Sequence, residues 1–184
     1  MNTSNLVITK GGILMVFGML IFLTYAVIFL FVSLSGVGFE IGVYTLSGVT
    51  PAELDTINPA IMAYMNHLHV AVSGFIASTS FAVIALVWCG VQRGYWWAWW
   101  AAMISPSVAF ILISSLDYAG DFKHNWVAHA GPIYLGMLVF LIGGLITLNS
   151  LTQSKIKPRI KVRHIPSRER EMLKLTFDPK IPYS

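Results

Sequence analysis

The chain has 184 residues, 56% of them hydrophobic and 11% charged, with a formal net charge of +4 and a single cysteine. About a quarter of an ordinary soluble domain is charged, so this deficit excludes a water-soluble globular protein and indicates an integral membrane chain. One cysteine excludes an internal disulfide and a CxxC metal or redox pair, which leaves His, Asp, Glu or Met for any metal site.

Residues 1–10 are short and polar and end in Lys10. From Gly11 to Gly36 nearly every residue is apolar, more than the ~20 needed to span a bilayer, and longer than the ~7–15 apolar residues of a cleaved signal. A first membrane helix over 11–36 is therefore predicted. Residues 37–60 form a long loop, in which Val37 to Ser47 suits a short strand or an interfacial segment. Thr50-Pro51-Ala52-Glu53 carries an N-cap, a first-turn proline and a capping box, so a short surface helix is expected over about 51–57. Asn58-Pro59 repeats the cap-plus-proline signal and opens a second long helix, 59–90.

Val91-Gln92-Arg93-Gly94 reads as a tight turn, and a third helix is predicted over 95–116. Trp88, Trp96, Trp97, Trp99 and Trp100 around this turn mark a membrane interface, where amphipathic rings settle at headgroup level. Pro106 lies inside the third helix and removes one backbone hydrogen bond, which predicts a kink. Cys89 sits among apolar neighbours and is expected to be a buried packing residue. Gly131-Pro132 starts a fourth helix, 131–150. Small residues on the second helix (Gly74, Ala77, Ser78) and the fourth (Gly136, Gly143, Gly144) suit close helix contact. The fold class is thus an all-α, four-helix transmembrane bundle over 1–150 with a short surface helix and a basic tail over 151–184.

Nine of the twelve basic residues follow residue 150: Lys155, Lys157, Arg159, Lys161, Arg163, Arg168, Arg170, Lys174 and Lys180. With four alternating helices, Lys10, Arg93 and this tail share one side. The positive-inside rule then puts both termini in the cytoplasm of a multi-pass cell-membrane protein. Arg93, Lys155, Lys157, Arg159, Lys161 and Arg163 are read as interface anchors, the tail being drawn to anionic lipid headgroups and not to nucleic acid.

The opposite side carries two polar groups. One is Asp117-Tyr118-Ala119-Gly120-Asp121-Phe122-Lys123-His124-Asn125-Trp126-Val127-Ala128-His129, and the other is Tyr64-Met65-Asn66-His67-Leu68-His69. Topology places His67, His69, Asp117, Asp121, His124 and His129 in one outer layer. On a helix His67 and His69 are about 200° apart, so one faces the bundle and the other does not; Met65 and His69 share a face. Imidazole and carboxylate suit a copper, zinc or iron ion, with ligands drawn from separate elements and His69 and His129 foremost. Haem fits less well, because it wants two histidines facing each other well inside the bundle. The competing reading is a hydrogen-bonded interface layer that caps helix ends and ties the outer loops together. No complete catalytic motif is present, and no catalytic residue is assigned.

Asn66-His67-Leu68-His69, the turn Gly90-Val91-Gln92-Arg93-Gly94, Trp97-Ala98-Trp99 and His129-Ala130-Gly131-Pro132 together resemble uncharacterised four-helix membrane proteins of bacteria and archaea. The resemblance implies an architecture and no reaction. The function expected is a non-catalytic, accessory subunit of a membrane complex, of oxidase or monooxygenase type, with other membrane subunits as partners. The alternatives are a stand-alone metal- or haem-binding membrane protein and, last, a small transporter.

Overall fold

The computed structural model describes residues 3–36, 38–119 and 122–156, of which 3–9, 116–119, 122–124 and 154–156 by backbone alone. It contains α1 (Thr3–Ser35), β1 (Val43–Leu46), α2 (Pro51–Ile57), α3 (Pro59–Cys89), a 3-10 turn (Val91–Arg93), α4 (Trp96–Ala119), β2 (Phe122–His124), α5 (Trp126–His129) and α6 (Gly131–Ile156). The long helices α1, α3, α4 and α6 are each long and apolar enough to cross a membrane, and the fold is all-α with a two-stranded accessory ribbon.

Local signals set the boundaries. The Thr50 hydroxyl oxygen accepts from the Glu53 amide at 3.3 Å, and Glu53 Oε2 accepts from the Thr50 amide at 2.8 Å, so two otherwise orphan donors are satisfied. Asn58 Oδ1 accepts from the Ala60 amide at 3.1 Å ahead of Pro59. The turn between α3 and α4 closes on Gly94, whose φ of 85° is a left-handed conformation that favours glycine. α6 extends six residues past the predicted end at Ser150, to Ile156, because Leu151 still packs in the core. Pro106 lies within an unbroken α4. Of the tail anchors, Lys155 is described by its backbone in α6, and Lys157, Arg159, Lys161 and Arg163 lie outside the described residues.

The capping box gives α2 a pH dependence. Hydrogen bonds from the Thr50 amide, and secondarily from its hydroxyl, hold the Glu53 carboxyl below the usual carboxylate range, against a small opposing effect of desolvation. A folded-state pKa below the unfolded one contributes stability above the unfolded value, and loses it as pH falls through the folded value. The protection of the Thr50 amide against hydrogen exchange should therefore fall on going from pH ~7 to pH ~3. In Glu53→Ala it should be low at both. Unchanged protection in the wild type at the two pH values would show that the box does not hold the amide.

α1 is the central helix, packed along both α6 and α3, while α4 meets α3 and α6 more sparingly. Glycines set the α1–α6 distance. A Cβ added at Gly143 would lie 2.7 Å from both the Gly11 carbonyl oxygen and the Met15 amide nitrogen, and one at Gly18 would lie 2.8 Å from the Gly136 carbonyl oxygen. Of the small residues singled out above, Gly136, Gly143 and Gly144 do serve helix contact, whereas Gly74 is exposed with nothing within 4 Å of an added Cβ. Gly74 lies one residue beyond buried Ser73, and a step of one residue turns it about 100° out of the packed face.

The main core, built on Met15, Met19, Val87, Trp99 and Phe140, fills the half of the bundle nearest the 3-10 turn. Cys89, expected to be buried, is exposed. Val87 holds the inward position, and two residues further the helix has turned by about 200°. Trp88, Trp97 and Trp100 are exposed and form a belt at this end, while Trp99, grouped with them by sequence, is buried at 5% exposure. Its indole N–H donates to the Gly144 carbonyl oxygen at 3.0 Å. At the opposite, polar end β1 and β2 pair antiparallel, with Val43 opposite His124 and Leu46 opposite Phe122. This ribbon and α2 cover a second small cluster of Phe39, Val43 and Met62.

Candidate functional site at the polar end

His69 lies toward the polar end of α3, and His129 immediately before α6. The two imidazoles meet around a third group, Glu40, in the loop between α1 and β1. Glu40 Oε1 is 3.7 Å from His69 Nε2, and Glu40 Oε2 is 3.9 Å from His129 Nδ1.

Backbone bonds hold this arrangement. Asn125 caps α5 through Oδ1, and its own amide donates to the Gly42 carbonyl oxygen at 2.8 Å. The His129 amide donates to the Asn125 carbonyl oxygen at 2.8 Å. His129 Nδ1 stands 3.0 Å from the Ile41 carbonyl oxygen. A carbonyl only accepts, so this nitrogen carries the proton. His129, 5% exposed, thus fastens the Glu40–Gly42 loop to the foot of α6.

His69 tilts against Phe29 of α1 with ring centroids 5.2 Å apart. Its Nδ1 is buried with no hydrogen-bond partner among the described residues. A neutral imidazole carries one N–H. Placed on Nδ1, it would be a buried donor without an acceptor, and Nε2 would turn a lone pair toward a carboxylate. Placed on Nε2, it points toward Glu40. The second placement avoids the cost of an unsatisfied donor.

Beneath Glu40 lies a cavity of about 460 Å³, within the ~300–1,000 Å³ of small-molecule sites. Glu40, His69 and His129 form its polar end. Tyr25, Phe29, Phe39 and Met65 are among its walls. A second cavity of about 240 Å³, reaching Met19, Ser80 and Pro106, adjoins it and shares Tyr25, Val72, Ile76, Ile113 and Ile133. Val72 and Ile113, walls on α3 and α4, are also exposed on the bundle's flank. α3 and α4 pack sparsely against each other beside these walls.

The residues singled out in the sequence separate here. His69 and His129 come together, and Met65 shares the His69 face as expected. His67 is exposed on the other side of α3. Asp117 and His124 are described by backbone alone, in α4 and β2, and Asp121 lies outside the described residues. The carboxylate between the histidines is Glu40, which is not among the residues singled out in the sequence. Its neighbourhood depends on the pairing of β1 with β2, a long-range contact without a local signal. Among the described residues no group of three His, Cys, Asp or Glu side chains is arranged to hold a metal ion. His129 Nδ1 is occupied by a carbonyl, and the Glu40 separations exceed hydrogen-bond length. Separations of this size leave room for one bridging polar atom. Compared with family models, curated proteins and solved structures, the chain finds no match.

Proposed function

We propose that this membrane protein binds an amphiphile, drawn sideways from the bilayer, in the cavity below Glu40, His69 and His129. One observation supports the reading: a largely apolar cavity with exposed walls on α3 and α4 ends in the three polar side chains Glu40, His69 and His129. An amphiphile has the matching polarity, with its apolar part in the cavity and its head among hydrogen-bonding groups. Lys10 and Arg93 lie at the other end of the bundle, so the positive-inside rule supports a cytoplasmic Arg93 end and an outward-facing site in a cell membrane. The absence of Asp, Glu, Lys and Arg from 11–39, 59–92, 96–116 and 131–154 speaks against a transporter, since ion and proton paths use charged groups within the spans.

Reconstituted protein should be photolabelled by an alkyl-diazirine amphiphile saturably, on the peptides that carry Phe29 and Ile76. Excess unlabelled amphiphile should suppress that labelling, and Ile76→Trp, which fills the space between the two cavities, should reduce it several-fold. Labelling spread over lipid-facing residues such as Phe81 and Leu145, and indifferent to competitor and to Ile76→Trp, would overturn the reading.

The sparse packing of α4 favours a second reading, an accessory subunit of a larger membrane complex. Its flank of Ile104, Val108, Ile111 and Leu112 is exposed, and a partner helix seated there would complete its packing. Migration as a large assembly on a native gel supports this reading, and migration as a single chain in mild detergent counts against it.

A further inference from the structure

We propose that the amphiphile's head is a neutral ring bearing a hydroxyl group, of the alkylphenol or hydroquinone class, with the hydroxyl oxygen between His69 Nε2 and Glu40 Oε1. The inference rests on the amphiphile-binding reading and adds the chemistry of the head. The His69 imidazole turns an N–H toward the carboxylate, because its Nδ1 has no partner among the described residues, whereas the His129 Nδ1–H is already given to the Ile41 carbonyl. The carboxylate only accepts. The group that fits at this point must accept from an imidazole N–H and donate to a carboxylate oxygen.

A hydroxyl does both. An ammonium head has donors only and cannot accept from His69. A carboxylate head has acceptors only and would meet Glu40 as a like charge, and either ion would be desolvated on entry. The 3.7 Å gap between His69 Nε2 and Glu40 Oε1 is too long for a direct hydrogen bond. It fits two bonds to one intervening oxygen, each of ordinary length, meeting at an angle. The ring follows from the walls. Tyr25, Phe29, Phe39 and the His69 imidazole line the chamber, and Phe29 and His69 are already in ring contact. Flat faces of this kind favour a flat head.

The test uses full-length protein in bicelles and the same diazirine photolabel, displaced by four competitors of equal chain length: a 4-alkylphenol, its O-methyl ether, an alkylammonium and an alkyl carboxylate. The phenol should displace label at a concentration about tenfold below that of the other three. Glu40→Leu should remove most of the gap between phenol and ether, since the ether lacks only the hydrogen that Glu40 accepts, and His69→Phe should weaken both, since either oxygen accepts from its N–H. His69→Phe keeps an aromatic wall, and Glu40 is partly exposed, so both variants should insert and melt as the wild type does. Saturable labelling with phenol and ether equal, or with the ammonium strongest, would overturn the hydroxyl head and leave the amphiphile site standing. Retention of the gap in Glu40→Leu, or phenol displacement unchanged in His69→Phe, would move the head away from these two residues. Labelling that no competitor displaces would remove the site itself.

Discussion

Gly143→Val should leave little folded protein. The new Cβ would meet the Gly11 carbonyl oxygen and the Met15 amide, each at 2.7 Å, and Leu14 Cβ at 2.9 Å. Two of these three are backbone atoms of a helix and cannot rotate away. The helices must separate, and α1 holds the centre of the bundle against α6 and α3. Overpacking a well-filled core costs about 1–3 kcal/mol and more where backbone must move, so a loss above ~3 kcal/mol is expected in SDS-titrated unfolding. Gly74→Val is the control. It adds the same atoms to the lipid-facing side of α3, where nothing lies within 4 Å, and it should unfold at the wild-type midpoint. Equal midpoints for the two variants would mean that α1 and α6 are not held at glycine distance.

Trp99→Ala should release α4. This helix has few neighbours, and Trp99 is its largest buried side chain among the described residues: edge-on to Trp100 at 4.9 Å and Trp96 at 6.2 Å, and bonded through its indole N–H to the Gly144 carbonyl oxygen. Truncating a buried Trp to Ala costs about 3–5 kcal/mol in water-soluble proteins. In a bilayer the lost dispersion contacts and hydrogen bond remain as the driving terms, and a loss of at least ~2 kcal/mol is expected. Trp99→Phe keeps most of the ring packing and loses the donor, so it should fall between Ala and wild type. The measurement is thermal unfolding of the three proteins in one detergent. Indistinguishable curves for Ala and wild type would show that α4 is held elsewhere.

Local features of this fold were legible in the sequence where the physics is local. Thr50-Pro51-Ala52-Glu53 and Asn58-Pro59 act through atoms within four residues, and both helix starts fall where those signals place them. The four spans follow from runs of apolar residues, a property of composition. His67 and His69 had to diverge because a helix turns 100° per residue. Partner choice between helices was much less legible. Gly11 and Gly18 carry no mark that they face Gly143 and Gly136, and Gly74 looks like them in sequence while facing outward. In the lipid-facing environment one apolar residue serves as well as another, so hydropathy does not report which face packs. For the same reason Trp99 could not be told from its exposed neighbours. Of the site, the two histidines were visible and Glu40 was not, because what joins them is strand pairing between distant loops.

That pairing has a consequence in time. β1 precedes α3, and its partner β2 follows α4, so the ribbon forms only after two membrane spans have been made and inserted. The His129–Ile41 bond comes later still. α1 and α3 can pack early, since little chain separates them, but the chamber also takes walls from α4 and α6, through Ile113 and Ile133, and is complete only once these have been made. Contacts that close long loops form late and add their stability last. The chamber beside Phe29 and His69 is therefore among the last parts of the fold to close.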